Sequence, residues 1–174
     1  IKYLEVSVAL PKLSFLNADH VNDILSNLDE LKIDRSRFRL ELSERLFLEG
    51  QEENAIAIND LSAAGFGIVV DDFNGSFSSL KALEKMRFSF LRFGPEVIRQ
   101  CRDSISFKNL LKAFIDLARS KKITSIAGHI ESEVELGSVR EWGCDRAPGL
   151  YMQKLAPAST MGVILQVYPV KDWA

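Results

Sequence analysis

Gly67-Ile-Val-Val-Asp-Asp-Phe-Asn-Gly-Ser76 is an apolar run that ends in two adjacent carboxylates and passes straight into a turn. Residues 67–71 predict a strand, and Asn74-Gly75 predicts the reversal after it. Side chains alternate along a strand, so Ile68 and Val70 share one face while Val69 and Asp71 share the other. Asp72 follows where the strand ends and the chain turns, so both carboxylates can face the same end of a sheet.

The pattern repeats on either side. Strand-like runs occur at 3–9, 37–42, 88–92 and 123–127, with a weaker one around Cys144. Helical patterns separate them: 19–28 after a cap at Asn17 or Asp19, 52–64 stopping at Gly65, and 106–119. The last puts Phe107, Leu110, Leu111, Phe114 and Leu117 or Ala118 on one stripe, which packs against a sheet. Such alternation predicts βα units and a parallel sheet, as a barrel or a doubly wound sheet. No Gly-rich fingerprint follows any strand, which leaves a dinucleotide fold without support.

A complete (β/α)8 barrel takes ~250 residues, and this chain has 174. The expected class is therefore α/β and TIM-barrel-like, a modified β/α barrel lacking its N-terminal strand/helix units, with residues 1–174 forming a single, N-terminally incomplete domain. Ile1 leads at once into a strand-like run, which suggests a piece of something longer. Hydrophobic residues are 47% and charged ones 26%, an ordinary globular balance. A net charge of -2 gives no case for a nucleic acid polymer or an anionic membrane. No apolar run approaches the ~20 residues of a membrane helix, so direct membrane insertion is not expected, and no signal peptide is visible. Cys101 and Cys144 suit neither a disulfide framework nor a zinc site. The default location is the cytoplasm, with a membrane-tethered parent protein left open.

The mixed faces of the strands point into the barrel, and Ala9, Glu41, Asp71, Arg92 and Gly128 become the last inward positions of five successive strands. Barrel active sites sit at that C-terminal rim. Glu41, Asp71 and Asp72 form a carboxylate cluster suited to a hard cation such as Mg²⁺ or Mn²⁺, and two such ions ~4 Å apart activate water for phosphodiester attack. A purely structural reading has Asp72 capping a helix near Ser78 and Asp71 pairing with an arginine. Arg92 is the residue expected to neutralise Asp71.

Glu41-Leu-Ser-Glu44, Asp71-Asp-Phe-Asn-Gly-Ser76, Phe90-Leu-Arg-Phe93, Ala127-Gly-His-Ile-Glu131 and Pro148-Gly149 occur in an order and spacing that resemble the landmarks of EAL domains. The likeness runs to about Val163, and residues 149–157 resemble the family's last strand and following turn. The resemblance implies a modified TIM barrel acting as a cyclic-di-GMP phosphodiesterase. In active members the tripeptide glutamate, an Asn, a Glu and the Asp-Asp pair hold the metals, while a Lys and a second Glu complete the chemistry around the attacking water.

Measured against that pattern, the EAL tripeptide is absent, the Asn position reads Ala9, and the Lys position reads Arg92 with Gly94 in place of the following Asp. The first Glu of Ala-Glu-Gly-Val-Glu reads Gly128, leaving Glu131, and His129 takes a family glycine position. An arginine keeps its charge but does not exchange a proton near neutral pH. A general base must reach the water it activates, and losing one cooperating group costs several powers of ten. The expectation is a degenerate member with no functional catalytic residue.

The residual metal site, Glu41, Asp71 and Asp72, then admits three readings: one weakly held Mg²⁺, Mn²⁺ or Ca²⁺; a structural role, with Glu44 steadying the loop after Asp72; or contact with a nucleotide that is sensed but not cleaved. The structural reading is favoured and no cofactor is required. Arg92, Glu131 and Phe73 are the ligand-binding candidates. Phe73, Phe77, Phe88, Phe90 and Phe93 are suited to stacking a guanine, to filling the core or to forming a protein–protein face. Three functions follow: a regulatory module that binds another protein or an adjacent GGDEF or sensory domain, with a homodimer also open; a cyclic-di-GMP receptor; and, least supported, an active phosphodiesterase.

Overall fold

Strands β1 (Val6–Ala9), β2 (Phe38–Ser43), β3 (Gly67–Phe73), β4 (Phe90–Phe93) and β5 (Thr124–Ala127) form one parallel sheet in the order β1-β2-β3-β4-β5. This is a computed structural model, and it describes residues 5–10, 18–48, 51–76, 84 and 86–147. Between the strands lie α1 (Ala18–Glu30), α2 (Glu44–Leu48), α3 (Gln51–Ala63), α4 (Pro95–Asp103) and α5 (Ile105–Ser120), and α6 (Glu133–Glu141) follows β5. The order never reverses, as it would at the switch point of a doubly wound sheet. Right-handed crossovers then place successive helices on one side, the geometry of a β/α barrel. No described helix is long and apolar enough to cross a membrane.

Cross-strand register aligns Ser7 with Arg39, Ala9 with Glu41, Arg39 with Gly67, Glu41 with Val69, Phe90 with Thr124 and Arg92 with Ile126 on one face. The opposite face carries Leu40, Leu42, Ile68, Val70, Leu91 and Phe93, and these pack into the core with Ile58 and Leu61 of α3 and Leu111, Phe114 and Ile115 of α5. Val69 and Ile126 are also buried, on the inner face. The apolar side is thus under the helices and the mixed side faces inward.

Helix signals are local. Pro95 opens α4, where its missing N–H costs nothing. Ser104 caps α5, its Oγ accepting from the Phe107 amide, and Ser132 caps α6 by accepting from the Glu135 amide. In α5, Leu111, Phe114, Ile115 and Ala118 are buried, whereas Phe107 and Leu110 are 43% and 48% exposed. The buried stripe is therefore rotated toward Ile115 and Ala118 relative to the expected one. After β5 the chain returns through a bridge between Ile126 and Arg146, and among the described residues no strand forms around Cys144. Asp145 fastens that return: its Oδ2 accepts from both the Ser125 amide at 2.8 Å and the Ser125 hydroxyl at 2.6 Å.

The Phe88 end of the fourth predicted strand lies outside β4, and α2, α4 and α6 arise where no helix was expected. Asn17, Phe77, Ser78, Pro148 and the 149–157 segment lie outside the described residues.

Candidate functional site

β3 does not run evenly to its end. Val70 pairs with Leu91 and Phe73 with Phe93, so one extra residue of β3 is accommodated at Asp71–Asp72. This is a β-bulge, a device that re-aims side chains at sheet ends. Asp72 sits at φ 52°, in the left-handed region that aspartate tolerates better than most residues. Its amide donates to Asp71 Oδ1 at 2.9 Å. The bulge leaves Asp71 half-buried and Asp72 exposed.

Arg92, on the neighbouring strand opposite the bulge, fills the space between β2 and β3. Its Nη2 bonds Glu41 Oε1, and its Nη1 lies 3.2 Å from Asp71 Oδ2. The side chains are 18%, 13% and 23% exposed for Arg92, Glu41 and Asp71. Arg92 Nε is buried with no hydrogen-bond partner among the described residues, so the guanidinium is committed through its terminal nitrogens.

The two carboxylates respond differently. Burial works to raise the pKa of Glu41, but hydrogen bonds from Arg92 and Ser7 and the charges of Arg92 and Arg39 outweigh it and leave it lowered. For Asp71 burial prevails, reinforced by the charges of Asp72 and Glu41, and the pKa is raised despite Arg92 and the Asp72 amide. Burial opposes the charge of Arg92, yet its two acidic partners hold its pKa above the usual arginine value.

Gly128 makes this arrangement sterically feasible. A Cβ at Gly128 would lie 3.3 Å from both Cγ and Cδ of Arg92 and 2.9 Å from the Phe93 carbonyl oxygen. The next residue, His129, is exposed and at φ 57°. Nearby, Glu44 is 8% exposed, and its Oε2 accepts from the Asn74 amide at 3.1 Å, tying the start of α2 to the turn after β3.

A second ion layer was not anticipated. Arg39 pairs with Glu5 and stacks 4.1 Å from the centre of the Phe90 ring. Arg146 approaches the same ring at 5.5 Å and Glu5 Oε2 at 3.3 Å. Burial, with the charges of Arg146 and Arg92, lowers the Arg39 pKa to about 10 despite Glu41. Alternation does place Arg39 two residues before Glu41 on the inner face. Nothing in the sequence ties Arg146 to Glu5, which are 141 positions apart.

Glu41, Asp71 and Asp72 do not converge as a carboxylate trio, and no group of three or more His, Cys, Asp or Glu side chains suited to a metal ion occurs among the described residues. The bulge turns Asp72 toward solvent, and Arg92 lies against the other two carboxylates. Phe73 is 0% exposed and packs edge-on against Phe93 at 6.0 Å and Phe114 at 5.2 Å. Glu131 is exposed on the loop after β5, where its amide donates to Glu135 Oε2 at 2.9 Å.

The fold and this rim define a TIM-barrel-like α/β protein whose strand ends carry an ionic cluster. The EAL domain family model matches residues 1–155, and the chain belongs to that family. It is 24% identical over 156 residues to the bifunctional diguanylate cyclase/cyclic di-GMP phosphodiesterase MucR of Pseudomonas aeruginosa, covering 90% of this chain and 23% of that protein. It is 25% identical over 167 residues to the oxygen sensor protein DosP of Escherichia coli, covering 95% and 21%. The chain thus spans about a fifth of the length of these relatives. A solved MucR phosphodiesterase in complex with c-di-GMP superposes with a TM-score of 0.80 at 24% identity, over 90% of this chain and 64% of that one. Klebsiella pneumoniae BlrP1, solved as calcium and manganese complexes with cy-diGMP, gives a TM-score of 0.76 at 17% identity, over 84% of this chain and 38% of that one.

Proposed function

We propose that this chain is a degenerate, non-hydrolysing EAL domain that acts as a regulatory, protein-interaction module in cyclic-di-GMP signalling. The observation that carries the reading is Arg92 bound between Glu41 and Asp71. A phosphodiester hydrolase of this family needs metal-held water, and the BlrP1 complexes contain calcium or manganese. The residues present do not fit that requirement. The two inward carboxylates are already paired with a guanidinium, Asp72 is exposed to solvent, and Ala9 and Gly128 offer no oxygen ligand from their side chains. Glu44 is spent on the turn after β3, a structural use of an acidic residue.

Output is then a matter of contact with another protein or an adjacent domain of a longer chain. The relatives' names, a bifunctional cyclase/phosphodiesterase and an oxygen sensor, favour a GGDEF or sensory neighbour.

Titration of the purified protein with cyclic-di-GMP, with and without Mg²⁺ and Mn²⁺, tests this reading by calorimetry and by chromatography of the nucleotide. The expected result is no linear dinucleotide. Micromolar binding without product would move the assignment to a receptor. Product that disappears in Asp71→Asn would overturn it.

A further inference from the structure

We propose that Arg92 is a resident cation that takes the place of a divalent ion, and that removing its guanidinium turns Glu41 and Asp71 into a divalent-cation site. The inference rests on the non-hydrolysing reading and specifies why the rim rejects metal.

Three observations support it. The guanidinium touches both carboxylates through separate nitrogens, so an incoming ion would have to displace it from each. A hard cation needs carboxylate oxygens at roughly 2.0–2.6 Å, and one oxygen of each, Glu41 Oε1 and Asp71 Oδ2, already faces Nη2 or Nη1. The side chain passes close over position 128, where a Cβ would crowd Arg92 Cγ and Cδ at 3.3 Å. Arg92 and Gly128 thus act as a pair, one supplying charge and the other the room for it. Finally, the three side chains are largely shielded from water, where an ion pair is hard to break from one side.

The test compares wild type, Arg92→Gln and Arg92→Gln/Asp71→Asn by Mn²⁺ titration, reading free ion by electron paramagnetic resonance and stability by thermal melts. Glutamine keeps polarity and much of the volume without the charge. Wild type should show no Asp71-dependent binding. R92Q should bind one Mn²⁺ at least about a hundredfold more tightly, following the cost of displacing a buried ion partner, and the double variant should lose it. If R92Q folds only when Mn²⁺ is present, that rescue supports the inference. A folded R92Q that binds no Mn²⁺ would overturn it. So would an R92Q that stays unfolded at every Mn²⁺ concentration, or a wild type that binds as tightly as R92Q. Nucleotide hydrolysis assayed on the same wild-type sample separates the two proposals: product sinks the functional reading, whereas failed Mn²⁺ binding without product sinks only this one.

Discussion

Arg92 and Gly128 are complementary: the arginine's Cγ and Cδ lie 3.3 Å from where a side chain at 128 would begin. That Cβ would also lie 2.9 Å from the Phe93 carbonyl oxygen, a backbone atom that cannot rotate away. Gly128→Ala should therefore destabilise the protein by about 1–3 kcal/mol, the usual cost of overpacking. Gly137, inside α6 with nothing within 4 Å of its Cβ position, is the control. Gly137→Ala should stabilise by about 0.5–1 kcal/mol through helix propensity. Urea unfolding midpoints of the two variants should shift in opposite directions.

Breaking the rim from one side should cost more than removing both partners. Arg92→Ala leaves Glu41 and Asp71 facing one another without their cation, and the expected loss is about 3 kcal/mol. Adding Glu41→Ala to that background should cost much less than Glu41→Ala alone, because the uncompensated charge goes with it. A double-mutant cycle from denaturant unfolding measures the coupling. Strict additivity would show that the ion pair contributes nothing.

Glu44 serves the backbone. Its Oε2 accepts from the Asn74 amide, across 30 positions of sequence. Glu44→Ala should lower stability by about 1–3 kcal/mol, the cost of leaving a partly buried donor unpaired. It should also speed hydrogen exchange at Asn74 more than at Val69 in the middle of β3. Unchanged exchange at Asn74 would remove the anchoring role.

Cys144 supplies a pH signature. Burial, with the charges of Asp145 and Cys101, raises its thiol pKa from 9.0 to about 12. The folded state then holds its proton where the unfolded state has released it. Its contribution to stability is complete below about pH 9 and is lost as pH rises toward 12. Melting temperature should fall over that window in wild type and fall less in Cys144→Ala. Alkylation at pH 8 should be slow and should accelerate with added urea.

The order of strands and helices was legible because hydrophobic periodicity is local. Runs at 67–71 and 123–127 are short and rich in β-branched residues, and each observed strand overlaps a predicted one. Helices α4 and α6 were missed because each is short and buries few side chains, Ile98 and Cys101 in α4 and Val139 in α6. Their signals were caps instead: Pro95 at the first turn, and Ser132 three residues before Glu135. In the return after β5, Cys144 and Ala147 are buried, yet among the described residues of that segment only Arg146 forms a bridge. Burial alone does not distinguish a packed loop from a strand.

The sequence by itself determined which side chains share the inner face, because strand alternation has a period of two. It therefore put Glu41, Asp71 and Arg92 on the same side of the sheet, and the family landmarks follow from the same residues. Tertiary structure decided what those side chains do there. A one-residue bulge sends Asp72 outward, Phe73 falls into the core, and Arg92 reaches a glutamate 51 positions away. Such outcomes depend on the register and spacing of strands remote in sequence and on the close approach of Arg92 to Gly128, which local periodicity does not encode.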